Sequence, residues 1–167
     1  MLKNLLVFRI ALFNIIMLAL LGAAATQGWV QYVFQSDHSR ISYLISGVFA
    51  LTVVGTIHRA IKVGNALNSL KSGEEVDRRE ILKMPIKNAY LHTATDSLTG
   101  LAIVGTVIGM VLMTKNLDLA NPNLGELVSG IGVAFMATLT GIATAMWAAV
   151  NIRMLDTATA LLVKDSE

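Results

Sequence analysis

The chain has 167 residues, of which 54% are hydrophobic and only 14% charged, and its formal net charge is +2. A soluble domain is about one-quarter charged, and here the apolar residues come in long blocks with a mean hydropathy of +0.64, so a soluble globule is excluded. With no cysteine, disulfide frameworks, thiolate metal sites and cysteine nucleophiles are excluded as well, and so small a net charge makes no case for nucleic acid.

A helix needs about 20 apolar residues to cross a hydrocarbon core of about 30 Å. The first such run is Leu5–Ala25, broken only by Arg9 and Asn14. Lys3 and Arg9 before it and Ala23-Ala24-Ala25 after it resemble a signal peptide. The run is nevertheless longer than the usual apolar stretch of about 7–15 residues, so it is expected to stay as a span. Trp29, Tyr32 and Phe34 then suit an interfacial segment. The second run is Ile41–Ile57.

The segment His58–Ser97 is the only sizeable water-exposed part. His58–Leu70 continues the second span as a helix and stops near Lys71-Ser72-Gly73. A second helix follows, kinked or ended by Pro85. Within it, Glu74, Glu75, Asp77, Arg78, Arg79 and Glu80 form a charge-dense stretch, read as a solvated face, a subunit contact or a docking surface for a cytoplasmic partner.

The third run is Leu98–Met113 and the fourth about Leu127–Val150. Lys and Arg then set the orientation. Arg59, Lys62, Lys71, Arg78, Arg79, Lys83 and Lys87 lie in the middle segment, Lys3 and Arg9 at the N-terminus, and Arg153 and Lys164 at the C-terminus, whereas the other two loops hold only Arg40 and Lys115. Both termini and the middle segment are therefore expected to be cytoplasmic.

The fold class implied is an all-α integral membrane protein with four transmembrane helices and a short helical cytoplasmic segment between spans two and three. It divides into a first helix pair (1–57), the cytoplasmic segment (58–97), a second helix pair (98–151) and a cytoplasmic tail (152–167).

Polar groups at membrane depth are functional hypotheses by default. Runs two to four hold no Asp, Glu, Lys or His, so the chain offers no acid within them as a proton carrier. What remains is hydroxyls and small residues. Thr99 and Thr106 are two turns apart and share a face, and Thr138, Thr140 and Thr144 lie in run four. Gly100, Gly105 and Gly109, with Gly130, Gly132 and Gly141, make two thin helices suited to close packing. Such threonines often only return a hydrogen bond to their own helix. Together they are read as a polar path for a small cation whose titratable ligand comes from elsewhere. Asp96 and Asp156 flank its cytoplasmic end, and Asp118 and Glu126 its outer mouth. No nucleophile, base and orienting group meet at one depth, so neither an enzyme nor a cofactor is expected.

Gly105-Thr106-Val107-Ile108-Gly109-Met110, Met113–Asp118 and Gly130–Gly141 resemble the two pore helices of the MotA/TolQ/ExbB family, the channel subunits of flagellar stators and of the Tol and Ton energising complexes. The resemblance covers about Leu98–Asn151. It implies a homopentameric ring in a bacterial inner membrane around a single-span partner dimer of the MotB/TolR/ExbD kind, which brings the ion-carrying aspartate. It also implies that hydroxyls of the ring line the path for H⁺ or Na⁺: Thr106 and Thr138, then Thr140. Four spans and Val133-Ala134-Phe135 lean towards the flagellar branch, while the cytoplasmic segment is much shorter than in that branch. The reading from another class is a small structural or holin-like four-helix membrane protein without a coupled partner.

Overall fold

The computed structural model describes residues 5–37, 39–74, 76–115 and 124–166. Five helices follow in order: α1 (Leu6–Thr26), α2 (Trp29–Ser36), α3 (Ile41–Ser72), α4 (Arg78–Lys115) and α5 (Leu124–Asp165). Four of them, all but α2, are long and apolar enough to cross a membrane, and the chain is an all-helical, multi-pass membrane protein.

Local chemistry sets the helix ends. Asp37 opens α3: its carboxylate accepts from the Ser39 and Ser42 backbone N–H groups at 3.0 and 2.6 Å and from the Ser39 hydroxyl at 2.5 Å. Burial pushes the Asp37 pKa up, but those donors outweigh it and hold the carboxyl below its ordinary value. At the far end Gly73 takes φ +77, a left-handed cap that a side chain would strain, and its N–H and that of Glu74 close on the Leu70 and Ser69 carbonyls. The stop expected at Lys71-Ser72-Gly73 is found there.

Pro85 does not end its helix: α4 runs through it without a break. Proline withdraws one N–H from the ladder, and packing holds the helix on both sides, with Ile81, Met84, Asn88 and Leu91 all buried. The membrane-spanning and extramembrane parts are thus stretches of the same rods, and α5 carries the tail in the same way to Asp165.

Two clusters form the core. One joins Leu6 and Ile10 of α1 with Val63 and Leu67 of α3, Ile81 and Leu91 of α4, and Leu155 and Leu162 of α5. The other joins Ile41 and Ile45 with Leu98, Ala137, Ala145 and Ala148.

The helices are staggered. Ile41, the first residue of α3, lies against Gly105, and Gly55 lies against Leu91. Phe49 meets Trp147 with ring centroids 4.9 Å apart, and Arg59 bonds Asn88. The polar stretch Asn88–Ser97 of α4 therefore runs beside the apolar stretch from about Phe49 to Ile57 of α3. At the other end, α4 and α5 continue about 12 Å beyond Ile41, at 1.5 Å rise per residue, to the contact of Met113 with Gly130.

Candidate functional site

The α4–α5 contact is the closest in the bundle, and glycines make it so. A Cβ on Gly109 would stand 2.5 Å from the Ala134 backbone nitrogen, and one on Gly130 2.6 Å from Met113 Cβ. One on Gly105 would collide with Ala137, and one on Gly141 with Ala102. Gly100 and Gly132, in contrast, face open space within the chain.

This close approach brings two threonines together. Thr106 Oγ1 and Thr138 Oγ1 are 2.5 Å apart. Each also lies within hydrogen-bond distance of a carbonyl one turn back on its own helix, Thr106 with Ala102 at 3.0 Å and Thr138 with Ala134 at 2.9 Å. Both are half-buried, at the wall of a cavity of about 680 Å³ whose other lining is mostly apolar, including Met110, Met113, Ile131 and Phe135. Thr140 stands apart: it donates to the Met136 carbonyl at 2.8 Å and does not line this cavity. Thr99 is exposed, and Thr144 turns back to its own helix, within reach of the Thr140 and Gly141 carbonyls.

The same helix pair holds a second cavity, of about 610 Å³, lined by His92, Thr95, Asp96, Arg153 and Asp156. Here His92 Nε2 lies 2.8 Å from Asp156 Oδ2. Asp96 and Asp156 thus share one cavity. His92, which sequence reasoning passed over, completes it. The signal was its place four residues before Asp96, on one helix face. Asp118 lies outside the described residues, as does the side chain of Glu126.

The stagger gives this cavity its depth. Arg9, in the second turn of α1, shares a pocket with Arg153 and Thr157, so the His92–Asp156 pair stands level with the beginning of the first span. Hydropathy along α4 alone had put it outside the membrane-spanning stretch. The stripe from Thr106–Thr138 to His92–Asp156 therefore runs along one helix pair, with hydroxyls towards one end and titratable groups towards the other.

Two buried polar clusters fix the neighbouring helices. Asn14 of α1 donates to Asn151 Oδ1 at 2.9 Å and accepts from Trp147 Nε1 at 2.8 Å. Asn14 thus faces protein, whereas Arg9 is exposed. Nearer the α3–α4 connection, Arg59 donates to Asn88 Oδ1 at 2.7 Å, and Asn88 donates to Thr159 Oγ1 at 3.1 Å, tying α3, α4 and α5 together. No cluster of His, Asp and Glu able to hold a metal ion occurs among the described residues.

Comparison with family models matches residues 71–167 to the MotA/TolQ/ExbB proton channel family, a stretch that takes in the whole of α4 and α5. Comparison with curated proteins and with solved structures gives no match. The match covers more than half of the chain and contains both helices of the threonine groove, and the chain belongs to the MotA/TolQ/ExbB proton channel family.

Proposed function

We propose that the chain is the ring-forming subunit of an ion-driven motor complex, in which the α4–α5 pair of each copy lines the ion path. Membership in a proton channel family supports the ion-channel role. The observation that carries the site is the Thr106–Thr138 contact, a pair of hydroxyls at the wall of a mostly apolar cavity.

In this reading five copies surround two single-span helices of a partner of the MotB/TolR/ExbD kind. Its acid is charged when the ion is absent and neutralised when the ion is bound. A hydroxyl both donates and accepts, so Thr106 and Thr138 can solvate either state, with Thr140 a weaker contributor. The ion, H⁺ or Na⁺, then leaves through the cavity of His92, Asp96 and Asp156. Asp118, which follows α4 in the sequence, is assigned to collecting cations.

Each charge crossing releases about 2.3 kcal/mol per 100 mV of membrane potential. Ion passage rotates the ring relative to the central partner dimer and so does mechanical work on it, and no chemical step and no cofactor are assigned to the chain. Both termini face the cytoplasm of a bacterium, and the ring sits in the inner membrane. The mass of the purified complex in mild detergent tests the assembly: a ring of five copies with its partner is expected, and a monomer or dimer is incompatible with the reading.

A further inference from the structure

A separate cavity of about 510 Å³ lies between α3 and α4, lined by Arg59, Lys62, Glu80, Met84 and Lys87 among others. Three cations face one carboxylate. Arg59 is only 7% exposed, and its guanidinium bonds the Asn88 side chain and the Met84 carbonyl. No carboxylate stands within ion-pair distance of it among the described residues. A buried guanidinium held by neutral acceptors keeps its whole charge, and guanidinium geometry suits phosphate oxygens.

The cavity's depth selects the ligand. Arg59 follows the apolar run Ile41–Ile57 by two residues, and Val7, near the start of α1, packs against Gly64 on the same stretch of α3. Here the apolar slab gives way to headgroups. Ile61, Leu82 and Ile86 are exposed beside the two lysines, an arrangement in which apolar side chains meet acyl chains while the ammonium groups reach the phosphate. Basic pockets between spans at this depth recognise anionic headgroups.

We propose that this cavity binds the phosphate of an anionic phospholipid headgroup. The inference rests on α3 and α4 and is independent of the ion path. Its test uses the full chain reconstituted in phosphatidylcholine vesicles doped with phosphatidylglycerol, with the lipid retained on the extracted protein counted by native mass spectrometry. Phosphatidylglycerol is expected to be enriched. Lys62→Gln and Lys87→Gln each lower its retention about fivefold, the equivalent of about 1 kcal/mol per basic residue near the surface, and Glu80→Gln raises it. Both lysines are exposed, so these variants leave the buried Arg59 contacts in place. Equal retention of both lipids, or wild-type retention by the double lysine variant, overturns the proposal. Displacement of the lipid by inorganic phosphate makes the site one for a soluble anion and overturns the lipid assignment. A double lysine variant that alters the mass of the complex and leaves lipid retention unchanged identifies a neighbouring subunit as the occupant and overturns it too.

Discussion

Thr106 and Thr138 place their hydroxyl oxygens 2.5 Å apart, and each is also near the carbonyl one turn back on its own helix. Three contacts compete for two hydroxyl protons. At any instant one threonine gives its proton to the other and leaves its own carbonyl, or both turn inward and the oxygens face each other unbridged. The pair can therefore exchange between arrangements without moving the backbone, as suits a wall beside a group that alternates between charged and neutral.

That exchange needs both hydroxyls. Thr138→Val keeps the volume and removes one, and proton flux through vesicles carrying the complex is expected to fall about tenfold or more, the rate equivalent of about 1.4 kcal/mol. Thr138→Ser keeps the hydroxyl and retains most of the flux. Thr140→Val has a smaller effect than Thr138→Val, because Thr140 bonds back to Met136 away from the cavity.

The glycines of α4 and α5 are not equivalent. Gly109→Ala would put a methyl group 2.5 Å from the Ala134 nitrogen, and the helices must separate to admit it. Gly132→Ala meets open space within the chain and replaces a helix-interior glycine at a gain of about 0.5–1 kcal/mol. Thermal unfolding in detergent should show opposite shifts, down for Gly109→Ala and level or up for Gly132→Ala.

Asn88 is 1% exposed and bridges Arg59 to Thr159. Asn88→Leu leaves a buried guanidinium nitrogen without its acceptor, and hydrogen bonds to charged groups contribute about 1.5–3 kcal/mol. A loss of several degrees in apparent Tm is expected, whereas Asn65→Leu, at an exposed position of α3, should change it little.

Asp37 gives the fold a pH dependence at the start of α3. Its folded-state pKa lies below the unfolded value, since the donors from Ser39 and Ser42 favour the charged form over the opposing effect of burial. The stabilisation is full above the unfolded pKa of about 3.9 and is lost as pH falls through the lower folded-state value. Asp37→Ala should therefore destabilise by about 0.5–2 kcal/mol at neutral pH, and denaturant unfolding should show the difference shrinking in acid.

Much of this was legible in the residues. Four apolar runs gave four long helices, Gly73 marked the end of α3, and the Thr106 and Thr138 motifs pointed to one groove. Hydropathy reads one helix at a time, however, and carries nothing about the register between helices. The stagger that sets Asn88–Ser97 beside apolar residues of α3 was therefore invisible, and so was the partnership of His92 with Asp156, 64 residues apart. Pro85 suggested a kink or an end because its local cost is plain, while the packing that carries α4 through it is tertiary. Asn14 stood out as a polar residue in a span, but its partners Trp147 and Asn151 lie on the last helix.

The central claim, that the α4–α5 groove is the ion path, can be tested directly because the chain has no cysteine of its own. In vesicles carrying the complex assembled with its partner, Thr138→Cys is treated with a water-soluble thiol reagent while proton flux is followed, with Val54→Cys on the exposed face of α3 as the control. The account predicts that Thr138→Cys reacts and flux stops, while Val54→Cys leaves flux unchanged. Complete labelling of Thr138→Cys with undiminished flux would contradict it.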